Sequence, residues 1–238
     1  MILTFQFYNM KFNLIGSLII SSFIIISCSE KKDEAVSDEI LTESDSISSV
    51  EEPQAEKSTL SDLASNATFE NWLEHYQSAN PSFTTGNFTL EQTQKLEMMP
   101  GNAKGNFEPE FDKSYEPFLI YNPSKTFYLD IDSYNWSKDK EGVAQFEADQ
   151  EVNLVDVKKK TVNRVAFFGP SHWVDDAFWV SDSIFILLQN NDENIPEIST
   201  YNLKDNSVFL FRNQEPIQKT DSSYTQSRLE KKGVKFTP

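Results

Sequence analysis

Beyond residue 118 the chain is a succession of short apolar runs, each closed by a polar turn. The runs at 118–121, 126–131, 143–148, 152–157, 161–168, 177–180, 184–189, 198–203 and 207–212 are rich in aromatic and β-branched side chains. Asn-Pro, Gly-Pro, Lys-rich, Ser-Asp and Asn-Asp clusters separate them, which is the sequence pattern of strands and their turns. About nine strands joined this tightly predict antiparallel hairpins, because a parallel pair needs a crossover of roughly a dozen residues. The expected fold class is mainly β: an antiparallel sheet or sandwich of about nine short strands, with one or two helices at its N-terminal side.

The first helix is predicted by a stripe. Phe69, Trp72, Leu73 and Tyr76 fall at helical spacing, with Thr68 as N-cap and Asn80-Pro81 as the stop. His75 stands beside that stripe as a half-exposed helix residue. Residues 90–96 are expected to form a second, short helix ended by Pro100-Gly101. The stretch 101–117 reads as a Gly-, Asn- and Pro-punctuated loop whose Phe107, Phe111 and Tyr115 pin it to the core. Two units, 152–168 and 198–211, each read as strand, charged turn, strand. Between them Trp179-Val180-Ser181-Asp182-Ser183 is similar to phrases found in β-propeller blades. A full propeller takes at least four blades of four strands, which this length does not supply.

The N-terminal pattern is different. Residues 2–27 carry one Lys, Lys11, and no acid, and 12–26 is an apolar stretch of signal-core length, short for a membrane-spanning helix. It closes on Ile25-Ile26-Ser27-Cys28, which resembles the lipobox of bacterial lipoproteins. That resemblance implies cleavage before Cys28, a diacylglyceryl thioether on its sulfur, and a chain held to a membrane by lipid. More than one buried acyl chain is what makes such anchoring stable. The following Ser29-Glu30-Lys31-Lys32-Asp33-Glu34 resembles the signal that sends some Bacteroidota lipoproteins to the outer face of the outer membrane. The implied location is the outer membrane, facing either the periplasm or the cell surface.

Composition divides the remainder. From 29 to 66 there are eleven acidic and three basic residues and no aromatic, the signature of a self-repelling tether. Ser46, in Asp45-Ser46-Ile47, resembles a Bacteroidota O-glycosylation site. The expected organisation is a signal peptide over 1–27, the lipidated Cys and acidic tether over 28–66, and a mostly β domain over 67–238. The net charge of −16 argues against a nucleic-acid partner, which needs clustered Lys and Arg. With one cysteine no internal disulfide can form.

Chemistry is sparse. The most varied stretch is 169–176, and two readings of it stand. In one, His172 is a general base oriented by Asp175 or Asp176. In the other, the acids make local turn hydrogen bonds and Trp173 packs on the core. Asp130 and Asp132, alternate residues sharing one face of a strand, are candidate calcium ligands, though the remaining ligands of a loop motif are missing. Zinc would need three or four ligands, and no cofactor is expected. The sequence therefore points to a lipid-anchored β domain that binds an envelope protein or a glycan without catalysis. The alternatives are a secreted hydrolase using Asp and Glu, and an acidic inhibitor of a basic protein.

Overall fold

The computed structural model describes Leu60 and residues 63–237. Cys28, Ser46 and the whole of 1–27 lie outside the described residues. The first element with described bounds is α1 (Ala67–Gln77). It starts two residues before the expected place: Asn66, in extended conformation, accepts from the backbone N–H of Thr68 at 2.9 Å and of Phe69 at 3.3 Å. Asn66 takes the cap position because its amide oxygen reaches two free N–H groups of the first turn. Phe69, Trp72 and Tyr76 are buried as the stripe predicts.

Twelve strands follow among the described residues: β1 (Phe88–Lys95), β2 (Met99–Pro100), β3 (Ile120–Tyr121), β4 (Phe127–Asp130), β5 (Trp136–Lys138), β6 (Ala144–Phe146), β7 (Gln150–Asp156), β8 (Thr161–Phe168), β9 (His172–Trp179), β10 (Ile184–Asn191), β11 (Glu197–Asn202) and β12 (Ser207–Asn213). They form one five-stranded sheet in the order β1-β12-β11-β10-β9, a second in the order β2-β8-β7-β4-β3, and a two-stranded ribbon, β5-β6. Every strand pairing is antiparallel. The protein is mainly β, as the pattern of runs predicts. All nine predicted runs overlap a strand, though β7 and β9 begin two and five residues before the runs at 152–157 and 177–180.

The short helix expected over 90–96 is instead β1. That stretch offers little for a helix to bury, and seven of the eight β1 residues are exposed. The strand exists through its main chain, by pairing Phe88 to Lys95 against Asn213 to Ser207 of β12. Leu96 to Met98 then carries the chain across to the second sheet.

The layers follow from side-chain alternation. Along β10, Phe185 and Leu187 point into the space between the sheets, whereas Ile186 and Leu188 point to the far side, where α1 lies. Both faces are buried, so β10 reads as a continuous apolar run rather than an alternating one. Leu129, Ile131, Val152 and Leu154 of the second sheet complete the inter-sheet core. The order is thus helix, first sheet, second sheet, with the 101–118 segment covering the outer face of the last. Gly101 permits that cover: a Cβ there would lie 2.1 Å from the Asn153 side-chain oxygen.

The exposed edge of β9 is closed by side chains. Gln150 donates to the carbonyls of Ile131 at 2.9 Å and Val174 at 3.3 Å, and accepts from the Val174 N–H at 2.7 Å. A second helix, α2 (Tyr224–Lys231), which the sequence reading did not foresee, lies along the same edge. Its Arg228 forms a two-pronged ion pair with Asp132 at 2.8 and 2.9 Å and donates through Nε to the Asp175 carbonyl at 2.9 Å. Trp136 Nε1 donates to the same Asp132 carboxylate at 2.9 Å. Asp132 is wholly buried and Arg228 nearly so.

A buried pair of this kind stabilises little relative to apolar residues, but losing one partner strands the other charge at a cost of about 3–5 kcal/mol. Arg228→Met is therefore expected to lower unfolding free energy by about that amount. Adding Asp132→Leu should restore much of the loss in urea denaturation, and additive losses would contradict the pairing.

Candidate functional site

Asp175 is placed by a β-bulge. On β10, Leu188 pairs with Asp176 and Gln189 with Val174, so Asp175 is the extra residue of β9. Its carboxylate is fully buried. One oxygen accepts from Trp72 Nε1 at 3.0 Å and Tyr76 OH at 2.7 Å, both on α1. The other accepts from Trp173 Nε1 at 3.0 Å and Thr225 Oγ1 at 3.2 Å, the latter on α2. Asp176 accepts from its neighbour's N–H, Ala177, and from Tyr224 OH. Burial raises the pKa of both carboxyls; the four hydrogen bonds oppose this at Asp175, and chiefly the Arg228 guanidinium opposes it at Asp176.

Two of the Asp175 donors, Trp173 and Thr225, also line a cleft of about 400 Å³. One wall is the β6–β7 connection with Phe146, Glu147 and Asp149; another is the β8–β9 turn with His172 following it; the third is the start of α2 and Phe236. Phe146 is 45% exposed, and its ring lies 5.9 Å from that of Phe236 at 31°. Neither Glu147 nor Asp149 has an ion-pair partner among the described residues. No Lys or Arg lines the cleft.

His172 opens β9 rather than sitting in a loop, and its acid neighbour is Glu197, not Asp175 or Asp176. Nε2 lies 3.2 Å from a Glu197 oxygen, outside hydrogen-bond geometry. Glu197 is buried, with Arg212 Nε 3.6 Å from its other oxygen, and the His172 ring packs on Phe168 at 4.9 Å. The bulge explains the change of partner. It turns Asp175 toward the two helices, while His172 stands across from Asn191 at the end of the ladder.

Asp130 and Asp132 do not converge on a common point. Asp132 is held by Arg228 and Trp136, whereas Asp130 accepts from the N–H groups of Asp132 at 3.1 Å and Ser133 at 2.9 Å. Among the described residues no group of three or more His, Cys, Asp or Glu is arranged to hold a metal ion, and no helix is long and apolar enough to cross a membrane. The cleft residues Phe146, Glu147 and Asp149 meet Phe236 from almost ninety residues away, so a sequence reading does not bring them together. Glu147 and Asp149 are merely two of 37 acids in the chain. Comparison with family models, with curated proteins and with solved structures finds no match for this chain.

Asp175→Asn turns an amide N–H₂ toward groups that are themselves donors, which is expected to cost about 1–3 kcal/mol of stability. The substitution also tests the raised pKa. A carboxyl whose folded pKa exceeds its unfolded value binds more protons when folded, so its contribution falls as pH rises from about 4 through the folded value and is level above it. Urea unfolding between pH 4 and 7 should therefore show a shallower decline for Asp175→Asn than for the unsubstituted chain. A steeper decline would contradict a raised value.

Proposed function

We propose that this chain is a lipid-anchored protein of the bacterial cell envelope whose β domain binds a partner, without catalysis, in the cleft beside α2. The observation that carries the binding reading is the exposed Phe146 paired with the half-buried Phe236, together with Trp173, around a concavity of about 400 Å³. Solvent-exposed rings in a concave site supply contact area at low entropic cost. The lipobox-like Ile25-Ile26-Ser27-Cys28 carries the anchoring reading, and the acidic 29–66 stretch supplies a tether long enough to hold the domain clear of headgroups.

The arrangement of the acids supports binding over hydrolysis. Two carboxylates acting on a glycosidic bond must flank it. Glu147 and Asp149 both come from one wall, and Asp175 and Asp176 are committed to hydrogen bonds with Trp, Tyr and Thr donors and a backbone N–H.

Mass spectrometry of the native protein is expected to find residues 1–27 removed and a diacylglyceryl group on Cys28; an intact leader with a free thiol would end the anchoring proposal. Protease shaving of intact cells distinguishes the surface from the periplasmic face. Incubation with envelope glycan and protein should release no fragments. Release that Glu147→Gln with Asp149→Asn abolishes would replace binding with hydrolysis.

A further inference from the structure

We infer that the cleft accepts a cationic side chain, and that its ligand is a Lys- or Arg-rich segment of a partner protein. This deepens the binding proposal above and rests on it. The argument comes from the charges and rings that line the cleft. Of its side-chain donors, Trp173 Nε1 and Thr225 Oγ1 are spent on Asp175, Gln150 Nε2 on the Ile131 and Val174 carbonyls, and Gln226 Nε2 on Glu230, which leaves the uncharged donors of Asn135 and Ser223 and the His172 ring. The fixed charge in the lining is all negative. Glu147 and Asp149 carry two carboxylates into the cleft wall with no ion-pair partner among the described residues.

A sugar ring presents hydroxyls that donate and accept together, but it carries no charge to meet the two carboxylates. An ammonium or guanidinium only donates, so it matches a surface offering acceptors and ring faces. The negative face of an aromatic ring attracts a cation, and the pair of Phe rings with Trp173 lies beside the carboxylates. A net charge of −16 would also steer a basic partner toward the molecule.

Calorimetry on the full chain in detergent tests this with three probes. They are a blocked peptide of roughly a dozen residues alternating Lys and Ser, its Gln-for-Lys counterpart, and a neutral glucose hexasaccharide. The Lys peptide is expected to bind, and the Gln peptide to bind at least roughly tenfold more weakly. Glu147→Gln with Asp149→Asn should weaken the Lys peptide by a similar factor. Glu110→Gln with Glu141→Gln, which removes the same charge from exposed positions elsewhere, should change it less than about twofold. Equal weakening by both double variants, equal binding of the Gln peptide, or no binding of the Lys peptide would each overturn the inference. If the hexasaccharide alone binds and Phe146→Ala abolishes that binding, the cleft remains a binding site and only its cationic specificity falls. If neither peptide nor sugar binds, both proposals lose their support.

Discussion

A single buried carboxylate organises this domain. Asp175 sits at a bulge in an edge strand and draws donors from α1, from β9 itself and from α2. Burying a carboxylate away from water is costly, and only its full set of hydrogen bonds makes the arrangement tenable. The same requirement fixes geometry. Trp72 and Tyr76 must face the first sheet, Thr225 must open α2 at this height, and Trp173 must tilt toward the bulge. Apolar contact alone would let two short helices slide over a sheet, whereas four directed bonds to one group do not.

The cleft inherits its shape from that centre. Trp173 and Thr225 line it on one side and bond to Asp175 on the other, so its floor is tied to the core beneath it. Arg228 ties the same helix to Asp132 and to the Asp175 backbone, which keeps the third wall in place. The cleft is therefore anchored on β9 and α2, with the more exposed Phe146 and Glu147 at its rim.

Much of the fold was legible because a strand's signature is local. Runs of Val, Ile, Phe and Tyr between turn residues marked nine strand positions, and the Phe69, Trp72, Tyr76 stripe marked α1. What was misread had no local signature. The polar stretch 90–96 becomes a strand only because β12 offers it a main-chain partner more than a hundred residues away. α2 escaped notice because half of what it buries is polar: Thr225 and Arg228 with Tyr224 and Leu229. Residues 172–176 read as a turn because Asp residues favour turns, whereas in the structure they begin a strand whose acids are satisfied by partners far away in sequence. For the cleft, the sequence flagged His172 and its neighbours but not Glu197, which meets His172 only after β9 to β11 have formed their sheet.

The order in which these contacts can form has a consequence for biogenesis. Trp72 reaches an acceptor 103 positions away, and Asp132 finds its guanidinium 96 positions on. Contacts this distant cannot be made until the late part of the chain is present, and ordering an early segment without them yields little. The polypeptide would stay loose while it is being synthesised, then close in a late step once α2 docks.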